Sequence, residues 1–136
     1  MKSKIKVAVL GSSGYVGLEL IKILNKHPNV EINFLGTQHF ENKNIKDFDH
    51  SLGEFNFPNL SLNKNFDPDF SDLVFLCLPH GVTHSFVKNL YNKIKIIDLS
   101  ADFRLDSNKV YSLNYDNAHS CPELLSHFIY GLPEIN

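Results

Sequence analysis

Three short strings in this chain combine residue types and spacing that suit chemistry on a charged small molecule. The first is Gly11-Ser12-Ser13-Gly14-Tyr15-Val16-Gly17, with glycines three residues apart. The second is Leu78-Pro79-His80-Gly81. The third is Ser100-Ala101-Asp102-Phe103-Arg104, which ends on the single arginine of the sequence. A guanidinium offers a planar bidentate fork that suits a phosphate or carboxylate. An ion pair of Arg104 with Asp102 or Asp106 accounts for the same residue equally well. His80, a lone histidine in a turn, reads either as a ligand contact or as a solvated side chain.

The glycine string is the most informative, because of what flanks it. Lys4–Leu10 (KIKVAVL) is a β-branched run that stops at Gly11 and reads as a buried strand. Gly14–His27 carries Val16, Leu20, Ile23 and Leu24 at helical spacing and stops before Pro28. Val30–Leu35 (VEINFL) is the next strand. A glycine turn between a strand and a helix is an anion cradle. Gly11 permits the turn, Gly14 lets the phosphates approach the backbone, and Gly17 lets the helix pack against the strand. The free N–H groups of the helix start then face a dinucleotide's pyrophosphate. Ser12 and Ser13 add hydroxyl donors. A glycine-rich turn with no ligand needs no such flanking elements, and their presence favours cofactor binding.

The end of the second strand bears on which dinucleotide binds. An NAD site usually places a carboxylate there, on the ribose hydroxyls. Here the sequence reads Leu35-Gly36-Thr37-Gln38, and Glu31 lies at the wrong end of the strand. No acid repels a 2′-phosphate, so NADP(H) is expected, with Thr37, Gln38 and Lys43 as its candidate partners.

Further along, Ser71–Leu78 and Lys95–Leu99 read as strands, and Thr83–Asn92 as a helix with Phe86, Val87 and Leu90 inward. Between Gly36 and Pro68 the chain is polar and Asn-rich, with apolar islands at Ile45–Phe48 and Leu60–Leu62. It reads as a long excursion holding a short strand or two. Pro122–His127 reads as a short helix. Strands alternating with helices predict an α/β, Rossmann-like doubly wound sheet, mostly parallel, with helices on both faces. In such a sheet ligands bind beyond the C-terminal ends of the strands, where all three strings fall.

Composition narrows the function classes. The 136 residues suit one domain, and a formal net charge of −2 gives no electrostatic reason to bind nucleic acid or an anionic membrane. No apolar stretch approaches the roughly 20 residues of a membrane span, so a cytoplasmic protein is expected. Cys77 and Cys121 are too few and too separated for a disulfide framework, and no CxxC pair offers a metal site. Cys77 sits in an apolar run where burial makes a thiol inert. Cys121 precedes Pro122 with no evident base.

Taken in order, VAVLGSSGYVGLELIKIL, FLCLPHGVTH, IIDLSADFRL and CPELLSHFIYGLPEIN resemble N-acetyl-γ-glutamyl-phosphate reductases of the semialdehyde dehydrogenase superfamily. The likeness spans nearly the whole chain apart from residues 39–70. It implies an NADPH-dependent reduction of an acyl phosphate to N-acetylglutamate semialdehyde, with phosphate release, in arginine biosynthesis. It makes Arg104 a substrate-phosphate ligand. It also implies cofactor contacts from Gly11, Ser12, Ser13, Gly14, Tyr15, Val16, Gly17, Thr37, Gln38, Leu78, Pro79, His80 and Ser100. Family members often carry an arginine near the end of strand two, where this chain has Gln38.

The family's nucleophilic cysteine follows the Gly-Leu-Pro-Glu turn in an Asn-Pro-Gly-Cys-type segment, beyond Asn136. Residues 1–136 are therefore expected to form the NAD(P)-binding domain, with the catalytic and dimerisation domain outside this chain. The chain alone is expected to bind NADP(H) without turnover, and the full-length protein to form a homo-oligomer. The alternatives are an aspartate-semialdehyde-type enzyme and a stand-alone NADP-binding regulator. An extended short-chain dehydrogenase would need a Tyr-x-x-x-Lys pair on a helix. Tyr91 and Lys95 have the spacing, but Lys95 already begins a strand.

Overall fold

A computed structural model describes residues 3–53, 55–79 and 81–100. His80, Arg104, Cys121 and the expected helix Pro122–His127 lie outside the described residues. The elements are β1 (Ile5–Leu10), α1 (Tyr15–Asn25), β2 (Val30–Thr37), β3 (Ser61–Leu62), β4 (Leu73–Leu76), α2 (Thr83–Leu90) and β5 (Lys95–Asp98). Every strand pair is parallel, and the order across the sheet is β3-β2-β1-β4-β5. The chain therefore builds outward from β1 in one direction, returns, and builds outward in the other. The loops after β1 and β4 face each other where that direction reverses, which is where an open α/β sheet forms its crevice.

β1 holds the centre because both its faces are apolar. Val7 and Val9 pack on one side with Ile21 and Leu24 of α1, while Ala8 and Leu10 pack on the other with Val87 and Leu90 of α2. This is the period-2 alternation of a strand buried on both faces. The buried residues of α1 are Gly17, Ile21 and Leu24. Of the expected Val16, Leu20, Ile23 and Leu24, Leu24 is buried and Leu20 packs against the cluster, but Val16 and Ile23 face outward. Ile23 is 68% exposed and Val16 is exposed as well. Gly17 sets this face, because a residue without Cβ lets the helix settle with that edge against the loop. In α2, Val87 and Leu90 are buried as expected, and Phe86 packs against their cluster.

β2 departs from simple alternation. Val7 pairs with Ile32 but Ala8 pairs with Phe34, so Asn33 is an extra residue that the sheet absorbs as a bulge. Both ends of its side-chain amide are bonded. Nδ2 donates to the Phe70 carbonyl at 2.7 Å, and Oδ1 accepts from the Ser71 hydroxyl at 2.8 Å.

The polar excursion after β2 folds as 3-10 turns at Ile45–Asp47, His50–Leu52, Asn63–Asn65 and Pro68–Phe70 around the two-residue β3. Its apolar islands supply the anchors, since Ile45, Leu52 and Leu60 are buried on the α1 side of the sheet. Asn44, Asp49 and Asp67 each cap a turn through their own side chains. Lys22 of α1 reaches Asp49 at 2.9 Å and ties the excursion to the helix. No helix among the described residues is long and apolar enough to cross a membrane.

Candidate functional site

The glycine loop leaves β1 through Gly11, whose φ of +73° lies in the left-handed region. A Cβ there would also run into the Cys77 carbonyl, so the loop after β1 lies directly against the chain after β4. Gly17 is equally constrained, with its absent Cβ falling 2.5 Å from the Gly11 carbonyl and 2.7 Å from the Ser12 Cα. It packs the helix start onto the loop itself, rather than onto the strand as the sequence suggests. Gly14 is different. A Cβ built on it meets only the Gly11 carbonyl, at 3.6 Å. The fold does not need glycine at position 14, which leaves an open approach to the backbone as its explanation.

Gly14 is also the N-cap of α1 and contributes no side chain to it. The first N–H groups of a helix have no intrahelical acceptor, and here no side chain supplies one. They open onto a cavity of about 800 Å³. Gly11, Ser13, Gly14, Tyr15 and Val16 line it from the loop, Thr37 and Gln38 from the end of β2, and Cys77, Leu78 and Pro79 from the end of β4. The structure thus gathers most of the sequence-identified residues around one space.

The exceptions are informative. Ser12 is fully buried and faces away from the cavity. Its amide and its hydroxyl both donate to the Gly36 carbonyl, each at 2.8 Å, so neither is available to a phosphate. Ser12 fastens the loop to β2, and the expectation that it donates to the pyrophosphate is corrected. Gly17 does not line the cavity either, in keeping with its packing role. Ser100 is buried against the Thr83 hydroxyl at 3.1 Å, and its amide donates to Asp98 at 2.8 Å. Lys43 is absent from the cavity lining, and its backbone is occupied in pairing with Leu60.

Three polar residues that the sequence did not single out stand in the lining: His39, Asn63 and Lys64. Asn63 is buried, and its Oδ1 accepts the Gly11 N–H at 3.1 Å from 52 positions away. Gly36 makes room for it, since a Cβ at Gly36 would collide with Asn63 Oδ1 and approach Leu10 Cδ2 to 2.9 Å. Nothing local in the sequence marks this contact, because it depends on the pairing of Gly36–Thr37 with Ser61–Leu62. Thr37 completes the loop's support. Its hydroxyl lies 3.3 Å from that of Ser13 and accepts the Phe40 N–H at 3.3 Å.

The electrostatics favour an anion. None of the described residues that line the cavity is a carboxylate, and Lys64 brings a cation. Cys77 borders the space, but burial pushes its thiol up to about 12, with the Asp98 charge adding to the effect. At neutral pH it is a neutral wall residue, not a nucleophile.

Comparison with known proteins places these features. The family model described as "Semialdehyde dehydrogenase, NAD binding domain" matches residues 6–136. The N-acetyl-gamma-glutamyl-phosphate reductase of Ehrlichia canis (strain Jake) is 40% identical over 99% of this chain and 39% of its own length. That of Campylobacter jejuni (strain RM1221) is 45% identical over 97% of this chain and 38% of its own. This chain therefore spans about two fifths of the curated relatives it matches. Among solved structures, the aspartate semialdehyde dehydrogenase of Candida albicans, crystallised with NADP, superposes with a TM-score of 0.63 at 24% identity. The match covers 78% of this chain and 32% of that one.

Proposed function

From the chain's membership of the semialdehyde dehydrogenase family, through its NAD-binding domain, we propose that it is the cofactor-binding part of an NADPH-dependent N-acetyl-γ-glutamyl-phosphate reductase. The observation that carries the reading is identity of 40–45% with reductases of that name over 97–99% of the chain. The cavity supplies a matching physical reason. Its volume of about 800 Å³ suits a dinucleotide, and an uncapped helix start, an unobstructed Gly14 and a lining without described carboxylates suit the pyrophosphate.

When bound, the nicotinamide supplies the hydride. The chain's own residues bind and orient the cofactor. The backbone of Ser13–Val16 faces the pyrophosphate, and Thr37 and Gln38 stand at the adenosine ribose. Leu78 and Pro79 form an apolar wall on the side of the nicotinamide half. Gly11, Ser12, Gly17 and Asn63 act one layer behind, holding the loop still. His80, next in sequence after Pro79, remains a proposed cofactor contact, and Arg104 remains the proposed ligand of the substrate's phosphate.

The test is turnover by the full-length protein in both directions. NADPH-dependent reduction of N-acetyl-γ-glutamyl phosphate, and phosphate-dependent oxidation of N-acetylglutamate semialdehyde, are expected. Activity confined to aspartyl phosphate and aspartate semialdehyde would replace this substrate with that of the related enzymes. NADPH binding without turnover of either acyl phosphate would point to a regulator.

A further inference from the structure

We infer that Lys64 is the residue that makes this site prefer a dinucleotide carrying a ribose 2′-phosphate. The inference rests on the cofactor reading above and adds the group that discriminates between the two nicotinamide dinucleotides. Parallel pairing sets Thr37 beside Leu62, and the 3-10 turn that follows at once brings Lys64 to the cavity wall. Thr37 and Gln38 line the same cavity from the end of β2, where the adenosine ribose of a Rossmann-type site lies. The turn is pinned from behind, because the neighbouring Asn63 is buried and bonded to the Gly11 N–H.

The ammonium is available for such a role. Lys64 is exposed and forms no ion pair among the described residues, unlike Lys22, which is held by Glu19 and Asp49. A lysine acts as a mobile point charge that follows a phosphate dianion without needing a fixed fork. No described carboxylate in the lining competes for it or repels the phosphate. Gln38, at the strand end itself, is neutral. The cation for the 2′-phosphate thus comes from the neighbouring strand's turn, and Lys43 does not reach the cavity.

The experiment measures dissociation constants of NADPH and NADH for the full-length protein by nicotinamide fluorescence, in wild type, Lys64→Ala, Lys64→Glu and Lys64→Arg. Because Lys64 is exposed, these variants are expected to keep the wild-type melting temperature. Loss of a charge-assisted contact predicts an affinity for NADPH lowered by about tenfold or more in Lys64→Ala, with NADH held within about twofold. Lys64→Glu is expected to lose more, and Lys64→Arg to stay close to wild type. Added salt should erode the NADPH advantage of the wild type and leave that of Lys64→Ala nearly flat. Equal losses for both nucleotides would move Lys64 to the pyrophosphate and overturn the assignment, as would no loss for either. Binding of neither nucleotide by the wild type would overturn the cofactor reading itself, and this inference with it.

Discussion

At the scale of single residues, the three glycines of the loop look alike in sequence and do different work. Gly11 and Gly17 are required by the fold, through a positive φ and through contacts that no Cβ could make. Gly14 is free of both constraints. Gly17→Ala is therefore expected to destabilise the protein by about 1–3 kcal/mol, the usual cost of overpacking. Gly14→Val should change stability by less than about 1 kcal/mol, the scale of an N-cap exchange, while sharply weakening NADPH binding. Thermal melts paired with fluorescence titrations separate the two. Equal destabilisation by both variants, or full affinity in Gly14→Val, would remove the distinction. The hydroxyls divide in the same way. Ser13 stays on the cavity, whereas Ser12 is committed to the Gly36 carbonyl. Sequence spacing shows that both follow Gly11. It cannot show which hydroxyl turns inward, since that depends on where β2 ends.

At the scale of elements, β1, α1, β2, β4, α2 and β5 were legible because each carries its own local signal of apolar period and a breaker at its end. The boundaries moved by a residue or two. The excursion was legible only in outline. Its short strand falls at the apolar island near Leu60–Leu62, but the 3-10 turns around it were not legible, because their order comes from partners distant in sequence. Leu60 pairs with Asn42 and Lys43, Asn63 with Gly11, and Asp49 with Lys22. The Lys22–Asp49 contact makes a prediction about pH. Hydrogen bonds from Lys22 and Ser51 hold the Asp49 carboxyl down at about 2, below its ordinary 3.8. A depressed folded value contributes stability above the unfolded value, and that contribution is lost as pH falls through the folded one. Asp49→Asn should therefore melt slightly below wild type near neutrality, by the small margin of a half-buried surface pair. The gap should close as pH falls from about 4 toward about 2. A gap that stays constant across that range would show that the carboxylate's charge is not what holds the excursion.

At the scale of the whole molecule, the cavity is assembled from the tips of β1, β2 and β4 and the turn after β3, so a bound dinucleotide spans both halves of the sheet. Binding to the folded state alone predicts a stabilisation of about 2.7 kcal/mol at a hundredfold excess over the dissociation constant, read as a rise of several degrees in melting temperature. A melting temperature indifferent to NADPH would argue against a ligand seated across those tips. The doubly wound sheet was legible from the alternation of elements, and the strand order places the loops after β1 and β4 side by side. The bulge at Asn33 was not legible, because an extra residue breaks the alternation that a reader of β2 would count along. It also has a consequence for comparing chains by length. The sheet absorbs Asn33 without displacing Phe34–Thr37 from their partners, so a relative whose second strand is regular should align with its one-residue gap at this position. The rim from Gly36 to Phe40 would then transfer between the two in a chimera with the insertion left behind.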